Sequence, residues 1–269
     1  MKLLLLVENN PNMAFSGKVV LITGASSGIG AATAIHLSRL GASLSLTGRN
    51  EENLKRVAKS CEVLPEHPQP FLQIGDITNE NDTKNVIEGT LKHYGKLDVL
   101  VNNAGIIETG SIENTSLDQY DRIFNTNVRS MYHITMLAVP HLIKTKGSIV
   151  NVSSVNGIRS FPGVLAYNMS KAAVDQFTRC IALELAAKQV RVNSVNPGVT
   201  LTELQKRGGL DEEAYSKFLE RSKETHALGR VGKPEEVAEA IAFLAGDTAS
   251  FITGASLPVD GGRHAMGVR

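Results

Sequence analysis

Tyr167 and Lys171 lie four residues apart in a stretch, 166–187, whose apolar periodicity predicts a helix. Side chains at this spacing share one helix face, so the ammonium group is expected close to the phenol. A phenol has a pKa near roughly 10, and a neighbouring positive charge typically lowers it by about one to three units. The pair could therefore exchange a proton with a substrate near neutral pH. The alternative is that an isolated Tyr/Lys pair is only a surface feature.

A second chemical feature is a glycine-rich turn between an apolar strand pattern, 19–23, and a helical pattern that ends near Leu40. Its residues are Thr23, Gly24, Ala25, Ser26, Ser27, Gly28, Ile29 and Gly30. Glycines let the backbone approach a phosphate, and the free N–H groups of the first helical turn point at it. The spacing Gly-x-x-x-Gly-x-Gly differs from the Gly-x-Gly-x-x-Gly pattern. The turn predicts either an anion site or an ordinary strand-to-helix connection.

Strand and helix patterns alternate along the chain, which predicts a doubly wound α/β fold with one parallel sheet. Further strands are predicted at 42–47, 71–74, 97–101, 147–152, 190–195 and 255–259. Helices are predicted at 51–60, 80–94, 117–144, 166–187 and 234–245. The helix 117–144 contains Asn127, and Pro140 should kink it or mark its last turns. Residues 18–269 are expected to form a single domain, preceded by a poorly ordered extension, 1–17.

The ends of the predicted strands carry small and polar residues. Ligands bind at the carboxyl ends of the strands in such a sheet. Ser154 follows strand 147–152 directly and could hydrogen-bond the same substrate oxygen as Tyr167. The other strand ends carry Gly24, Gly48-Arg49, Asp76, Asn102, Ala104, Gly105 and Pro197-Gly198. These residues predict a long ligand laid across one edge of the sheet.

Composition and charge argue against several classes of protein. The chain has 269 residues and a net charge of +1 with both signs scattered, so neither a nucleic-acid partner nor an acidic membrane surface is expected. Its seven histidines form no ligand pair on a helix face, so no metal site is predicted. No stretch is long enough to cross a membrane, and the apolar run 3–7 lacks a cleavage site, which favours a soluble, cytoplasmic protein.

Together these residues resemble the classical short-chain dehydrogenase/reductase family. The similarity covers about residues 18–262 and leaves out the N-terminal extension and the last seven residues. The motifs occur in the family's order and spacing, with Ser154 thirteen residues before Tyr167. They are Thr23-Gly24-x-x-x-Gly28-Ile29-Gly30, Asp76, Asn102-Asn103-Ala104-Gly105, Asn127, Ser154, Tyr167-x-x-x-Lys171 and Pro197-Gly198. The resemblance implies a Rossmann fold and a nicotinamide-dependent oxidoreductase.

The resemblance also implies a role for each matching residue. Tyr167 would be the general acid/base, while Lys171 would lower its pKa and hold the nicotinamide ribose. Ser154 would orient and polarise the substrate carbonyl, and Asn127 would hold a water that relays protons to Lys171. Cofactor binding is implied for Gly24, Ser26, Ser27, Gly28, Ile29, Gly30, Asp76, Ile77, Asn103, Ala104, Gly105, Pro197, Gly198, Val199 and Thr202.

The residues after the second predicted strand indicate which nicotinamide cofactor is used. A site that prefers NAD carries Asp or Glu there, to accept a hydrogen bond from the ribose 2′-hydroxyl. This chain has Gly48 and Arg49 instead. No carboxylate repels a 2′-phosphate, and a guanidinium binds one well, so NADP(H) is predicted over NAD(H). The alternative is an ordinary surface arginine stacked on the adenine.

The predicted function is NADPH-dependent, reversible reduction of a ketone or aldehyde on a lipophilic substrate such as a steroid, a terpenoid or a 3-oxoacyl compound. The alternatives are an NAD-dependent alcohol dehydrogenase of the same family and an NADP(H)-binding scaffold or sensor. Residues 200–231 lack clear periodicity and are predicted to form a helical substrate lid, or else a surface helix pair with no role in binding. The pocket walls are predicted from Ile106, Ile107, Phe161, Leu204, Leu210, Tyr215 and Phe218, with Ser154 and Tyr167 at the reacting oxygen.

The two longest predicted helices also bear on assembly. Helices 117–144 and 166–187 are apolar over more than one face. A helix inside one domain normally needs only one apolar stripe, so the second stripe predicts a contact with another subunit. A homotetramer or a homodimer is expected, and the resemblance adds the last helix and strand as a second interface.

Overall fold

The structure, a computed structural model, describes residues 13–61 and 69–267. Within these residues, a parallel sheet of seven strands in the order β3-β2-β1-β4-β5-β6-β7 forms the centre of the molecule. The strands are β1 (Val19–Thr23), β2 (Ser43–Gly48), β3 (Phe71–Ile74), β4 (Val99–Asn102), β5 (Ser148–Val152), β6 (Arg191–Pro197) and β7 (Ser256–Val259). The predicted doubly wound parallel fold is confirmed.

Helices cover both faces of this sheet. They are α1 (Gly28–Arg39), α2 (Glu51–Ser60), α3 (Glu80–Tyr94), α4 (Leu117–Phe124), α5 (Ser130–Thr145), α6 (Val155–Ile158), α7 (Leu165–Ala186), α8 (Leu204–Arg207), α9 (Glu212–Glu224) and α10 (Pro234–Ala245). In β1, Val20 and Ile22 pack in the cluster that includes α1 and α10, whereas Val19 and Leu21 pack with α5 and α7. A strand buried on both faces is apolar along nearly its whole length, which explains the run of Val, Leu and Ile in β1.

The order in which strands are added to the sheet reverses at β1: β2 and β3 lie on one side of it, and β4 to β7 lie on the other. This strand pairs with β2 on one side and with β4 on the other, and both pairings are parallel. In open α/β sheets, ligands bind in the crevice beyond the carboxyl ends of the strands at such a point. The turns that follow Thr23 and Asn102 therefore form the two sides of one crevice.

The prediction of a single long helix over 117–144 is wrong in one respect, because the helix is interrupted. α4 ends at Phe124, a π-helical turn spans Asn125–Arg129, and α5 begins at Ser130. A π-turn accommodates one extra residue and so rotates the following residues relative to the preceding helix. It carries Asn127, which is only 2% exposed. Pro140 lies within α5.

Residues just before the predicted domain start at residue 18 also pack against the domain. Phe15 is buried in the core, and its N–H donates to the carbonyl oxygen of Leu40 at 2.8 Å. Residues 1–12 of the predicted extension lie outside the described residues. None of the helices in the described part of the chain is long and apolar enough to span a membrane.

Residues 200–231 contain the two helices α8 and α9. Asp211 accepts a hydrogen bond from the N–H of Ala214 and so caps α9. The segment lies beyond the carboxyl end of β6, on the same side of the sheet as the crevice. The predicted helical character of this segment is confirmed.

Candidate active site

A cavity of about 1260 Å³ opens at the carboxyl ends of β1, β4, β5 and β6. Nearly all of the residues predicted to bind cofactor or substrate line it: Gly24, Ser26, Ser27, Gly28, Ile29, Arg49, Asp76, Ile77, Asn103, Ala104, Gly105, Ile106, Ser154, Phe161, Tyr167, Lys171, Pro197, Gly198, Val199, Thr202, Leu204 and Phe218. Three predicted site residues, Gly30, Asn127 and Tyr215, are not among its lining residues. Pockets for a single small ligand usually measure about 300–1,000 Å³, so this cavity suits a long ligand with a second molecule beside it.

The glycine-rich turn has the backbone geometry of an anion site. Gly24 and Gly28 have φ angles of +63° and +55°, a region that favours glycine. A Cβ on Gly28 would lie 3.2 Å from Thr202 Cγ2, so a side chain here would narrow the cavity. Ser27 makes no side-chain cap and the first turn of α1 has no acidic residue. The N–H groups of that turn can therefore receive a phosphate, and the turn fits the pyrophosphate of a dinucleotide.

Thr23 and Asn103 hold the two turns of the crevice together. The Thr23 hydroxyl accepts hydrogen bonds from the N–H groups of Asn103 and Ala104, at 3.0 and 3.1 Å. The Asn103 amide in turn donates to the carbonyl oxygens of Thr23 and Gly24, at 2.9 and 3.1 Å. A Cβ on Gly30 would overlap this amide and the Gly24 carbonyl. Gly30 therefore allows α1 to approach the crevice closely, and its contact with a cofactor stays a prediction.

Tyr167, the predicted acid/base group, is buried in the wall of the cavity. Its side chain is 6% exposed, lines the cavity and shares a hydrogen bond with the Ser154 hydroxyl. Burial raises the pKa of Tyr167 to about 12, against an opposing effect of the Ser154 contact. The hydroxyl groups of Ser154 and Tyr167 therefore meet at one point of the cavity wall, as the sequence predicts.

The lowering of the Tyr167 pKa by Lys171 stays a prediction, and burial has the largest effect on both groups in this structure. The Lys171 ammonium lies 5.7 Å from the centre of the Tyr167 ring and donates a hydrogen bond to the carbonyl oxygen of Val152 at 2.9 Å. Burial lowers the pKa of Lys171 to about 8, although the charge of Asp175 opposes this shift. Desolvation therefore shifts each of the two groups towards its neutral form.

The Asn127 side chain does not line the cavity but connects two segments that do. Its side-chain oxygen accepts from the N–H of Ile106 at 2.8 Å, and its amide donates to the Ile106 carbonyl at 2.9 Å and to the Ser170 hydroxyl at 3.0 Å. Both amide hydrogens are thus used within the protein. The side chain connects the loop after β4 to α7. The predicted binding of a water by Asn127 would use the remaining lone pair of its side-chain oxygen.

Arg49 and Asp76 lie at the far end of the cavity from Tyr167, next to the glycine-rich turn. The Arg49 guanidinium is 3.6 Å from the Asp76 carboxylate and its side chain is 72% exposed. Burial disfavours the charged carboxylate, but hydrogen bonds from Thr78 and the charge of Arg49 hold the pKa of Asp76 below its usual value. Asp76 is therefore ionised at neutral pH, and Arg49 is free to turn towards an anion at the crevice.

Most of the residues predicted as substrate walls line the cavity, and their contact with a substrate stays a prediction. Ile106, Phe161, Leu204 and Phe218 all line it. Tyr215 does not: it is buried, its hydroxyl donates to the Thr202 carbonyl at 2.9 Å, and the Lys206 ammonium lies over its ring. A phenol can satisfy its hydroxyl inside the lid, so Tyr215 holds the lid together instead of facing the pocket.

The C-terminal segment forms a wall that the sequence did not indicate. The Arg159 guanidinium donates to the carbonyl oxygens of Arg263, His264 and Met266, at 2.8, 3.2 and 2.5 Å. The guanidinium of Arg263 stacks over the Phe161 ring at 4.2 Å, and Met266 lines the cavity. These residues are more than a hundred positions apart in sequence, so no local pattern could connect them.

His226 was also missed, although it joins the lid to the turn after β6. The N–H of Val199 donates to His226 Nε2 at 3.1 Å, and His226 Nδ1 lies 2.6 Å from the Ser222 carbonyl oxygen. The imidazole is therefore a neutral tautomer with its hydrogen on Nδ1. Among the described residues, no three histidine, cysteine, aspartate or glutamate side chains cluster in a way that could hold a metal ion.

Comparisons with known proteins agree with this fold and site. A family model described as Enoyl-(Acyl carrier protein) reductase matches residues 24–264. The 3-oxoacyl-[acyl-carrier-protein] reductase FabG of Thermotoga maritima is 41% identical over 93% of this chain and 99% of its own. Meso-2,3-butanediol dehydrogenase of Serratia marcescens is 40% identical over 94% of this chain and 97% of its own. The crystal structure of 3-ketoacyl-(acyl-carrier-protein) reductase from Brucella melitensis, complexed with NADH, has a TM-score of 0.85 and 34% identity, covering 93% of this chain and 99% of that one.

The parallel sheet, the glycine-rich crevice and the buried Ser154–Tyr167 pair define an oxidoreductase of Rossmann type. The chain belongs to the classical short-chain dehydrogenase/reductase family. It is accordingly an NAD(P)-dependent oxidoreductase that acts on CH–OH and C=O groups. The resemblance seen in the sequence is confirmed.

Proposed function

We propose that the protein reduces a lipophilic ketone to a secondary alcohol with NADPH, and that the reaction is reversible. The observation that carries this proposal is the buried contact between the Ser154 and Tyr167 hydroxyls on the wall of the cavity. Two hydroxyls at one point can bind a single carbonyl oxygen. The similarity to an oxoacyl reductase and to a butanediol dehydrogenase supports a carbonyl/alcohol substrate.

The residues of the crevice fit a nicotinamide dinucleotide. The N–H groups at Gly28 and Ile29 would bind its pyrophosphate, Asp76 and Ile77 its adenine, and Lys171 the nicotinamide ribose. When bound, this cofactor supplies the hydride that is exchanged with the substrate carbon. The cavity runs continuously from Arg49 to Tyr167, as a dinucleotide requires.

Selection of NADPH is assigned to Arg49. No carboxylate stands at the end of β2, where Gly48 precedes Arg49. The guanidinium is exposed, lines the cavity and has Asp76 as its ion-pair partner at 3.6 Å, a distance that leaves its donors available. The Brucella melitensis relative was crystallised with NADH, which makes NADH the competing cofactor to test.

In the direction of reduction, Tyr167 donates its phenolic proton to the carbonyl oxygen of the substrate. Burial keeps this phenol protonated, which suits an acid. Ser154 contacts the same oxygen and orients it. The Lys171 ammonium, held by Val152, adds a positive charge on the same side, which stabilises the phenolate left after the proton has moved.

A lipophilic substrate is supported by the walls around these hydroxyls. Ile106, Ile107, Phe161, Leu210 and Phe218 contribute apolar surface to the cavity. Each methylene of a substrate buried against such walls contributes about 0.8 kcal/mol. A steroid, a terpenoid or a 3-oxoacyl compound would therefore be bound better than a short polyol.

The test is a screen of cyclic and acyclic ketones for NADPH consumption, with Tyr167→Phe as the diagnostic variant. We expect the variant to lose about 10²–10⁴-fold in kcat, since proton transfer by one side chain typically contributes that much. Tyr120→Phe, a substitution outside the cavity lining, serves as the matched control and should retain activity. NADPH binding by Tyr167→Phe, followed by fluorescence, should persist. If no ketone is consumed, the protein is a cofactor-binding scaffold and the proposal is wrong. If Tyr167→Phe keeps full activity, Tyr167 is not the proton donor and the proposed mechanism is wrong.

A further inference from the structure

Two arginines, Arg159 and Arg263, lie at the Tyr167 end of the cavity, and both line it. The Arg263 guanidinium stacks over the Phe161 ring at 4.2 Å. The Phe161 carbonyl oxygen accepts a hydrogen bond from the Asn168 amide at 2.8 Å, and Asn168 directly follows Tyr167 in α7. The two guanidinium groups, which we call the arginine pair, are therefore held beside the helix that carries Tyr167.

The arginine pair has no carboxylate partner in the described part of the chain. Four other arginines do have such partners, at 2.5–3.6 Å: Arg49, Arg122, Arg129 and Arg230. Asp260 is the acid closest to the pair along the chain, but its carboxylate accepts from two backbone N–H groups, at 3.0 and 2.6 Å. Two acids of the lid, Glu203 and Glu224, line the same cavity and form no ion pair with either guanidinium. The positive charge of the pair is thus left without an ion-pair partner among the described residues.

The arginine pair is anchored and yet keeps unused hydrogen-bond donors. A guanidinium carries five N–H hydrogens. Arg159 uses Nη1, which donates to the backbone carbonyl oxygens of residues 263, 264 and 266, while its Nε and Nη2 make no hydrogen bond with the described residues. The Arg263 side chain makes none with them at all, and its Nε is buried without a partner. A ligand with two adjacent oxygens would supply acceptors for the donors that remain.

The arginine pair is electrostatically unfavourable unless an anion is present. Burial lowers the pKa of Arg263, the charge of Asp260 raises it, and the charge of Arg159 lowers it further. Guanidinium groups nevertheless remain charged at neutral pH. Two cations held near each other at a partly enclosed site repel one another, and a carboxylate bound to both would be stabilised by both. The described residues provide no such anion, which points to a bound molecule as its source.

We propose that the arginine pair binds a carboxylate group of the substrate, so that the protein reduces an oxo acid: a ketone whose apolar body ends in a carboxylate. The apolar body would lie against the apolar residues of the cavity, which include Ile106 and Phe161. The planar fork of a guanidinium matches the two oxygens of a carboxylate. The inference rests on the proposed function, because it names the substrate class of the same site.

The first test compares methyl-ketone carboxylates of increasing chain length with their methyl esters. Arg263→Leu should raise the KM of the best carboxylate by about tenfold or more, since a charge-assisted hydrogen bond is lost, and should change kcat little. The KM of the matching ester should stay nearly the same. Arg263→Lys retains the charge without the fork, so a smaller rise in KM is expected. Arg39→Leu, at the exposed end of α1 and outside the cavity lining, is the matched control and should change neither KM.

The cofactor is the other source of anionic groups, because it carries phosphates. The KM for NADPH should be unchanged in Arg263→Leu. A raised KM for NADPH with an unchanged KM for the carboxylate would assign the arginine pair to the cofactor and overturn the proposal. The proposal is also wrong if the parent protein uses carboxylate and ester equally well, or if Arg263→Leu raises both of their KM values alike.

A binding measurement separates this inference from the proposed function. Hexanoate and hexanamide have similar shapes, but only hexanoate carries a charge. By isothermal titration calorimetry, the parent protein loaded with NADP⁺ should bind hexanoate about tenfold more tightly than hexanamide, and Arg263→Leu should remove this preference. Added salt should weaken the preference in the parent protein. Equal binding of the two probes by the parent would refute the carboxylate site. A protein that reduces no ketone but shows the preference would refute the proposed function and leave the carboxylate site in place.

Discussion

The side-chain amide of Asn127 donates a hydrogen bond to the Ser170 hydroxyl at 3.0 Å, which joins the π-helical turn to the helix that carries the catalytic tyrosine. Ser170 in turn donates to the carbonyl oxygen of Tyr167 at 2.8 Å. The π-turn is therefore the feature that brings an asparagine from a neighbouring helix to the first turns of α7. A regular helix through the same residues would rotate this amide away from α7.

Arg49→Ala is expected to raise the KM for NADPH by tenfold or more and to change the KM for NADH little. A charge-assisted hydrogen bond to the 2′-phosphate contributes about 1.5–3 kcal/mol, and NADH has no phosphate at this position. Steady-state kinetics with both cofactors measures the difference. Arg56→Ala, on the exposed face of α2, is the matched control and should alter neither KM. Equal use of the two cofactors by the unmodified protein would show that Arg49 does not select between them.

Lys171→Met is expected to abolish activity and yet to raise the free energy of unfolding by about 2 kcal/mol at pH 7. Burial lowers the folded-state pKa of Lys171 to about 8, from an ordinary value of 10.5. Below about pH 8 the buried ammonium lowers the free energy of unfolding by its full amount. This destabilisation declines as the pH rises towards 10.5, because the unfolded chain then still binds the proton that the folded chain has released. The lost bond to Val152 offsets part of the gain.

Urea unfolding at pH 7 and at pH 10.5 tests this dependence. The advantage of Lys171→Met should be present at pH 7 and absent at pH 10.5. Lys188→Met, at the exposed end of α7, controls for the loss of a surface lysine and should show no such change. A variant that is less stable than the parent at pH 7 would mean that burial of the ammonium carries no such cost.

The candidate catalytic residues could be placed on the fold because their signals are local. Tyr167 and Lys171 lie one helical turn apart, and Ser154 directly follows an apolar strand, so each can be placed on an element from its neighbours alone. The glycine-rich turn is likewise a continuous stretch. The order of β1 and β4 in the sheet then brings these segments to one crevice.

The features that could not be predicted depend on burial or on distant contacts. The raised pKa of Tyr167 arises from desolvation, which spacing alone does not reveal. The bonds from Arg159 to the segment that contains Arg263 and Met266 join residues with no shared pattern. Tyr215 looked like a pocket residue because it is aromatic, but its hydroxyl is satisfied within the lid.

A homodimer or homotetramer is expected through the exposed apolar side chains of α5 and α7. Tyr132, Met136 and Leu183 are 57%, 53% and 81% exposed, which is high for such side chains. The rings of Tyr132 and Phe177 are 5.8 Å apart, so the two helices present one continuous face. The double variant Met136→Asp/Leu183→Asp should reduce the mass measured by light scattering.

Ile112→Asp is the matched control for this surface, since Ile112 is 85% exposed in the loop before α4. The control should keep the mass of the parent protein. A parent that is a monomer at micromolar concentration would refute the expected oligomer. A double variant with unchanged mass would place the interface elsewhere.

The segment 200–231 is expected to act as the lid and the specificity element of the site. Leu204 and Phe218 lie on its two helices and both line the cavity. Each shortened side chain removes apolar surface that only a large substrate can reach. Phe218→Ala and Leu204→Ala should therefore lower kcat/KM for bulky ketones by about tenfold, and leave it nearly unchanged for small ketones. The KM for NADPH should stay the same, because the crevice that binds it lies outside these helices.

Leu219→Ala provides the control for the lid, since Leu219 is next to Phe218 on α9 but does not line the cavity. A general loosening of α9 would affect Leu219→Ala and Phe218→Ala alike. Hydrogen exchange adds an independent measurement: His226 bonds to the Val199 N–H, so a cofactor bound at that turn should slow exchange in α9. If Leu219→Ala discriminates between large and small ketones as strongly as Phe218→Ala, or if exchange in α9 ignores both cofactor and ketone, residues 200–231 are a surface helix pair and not a lid.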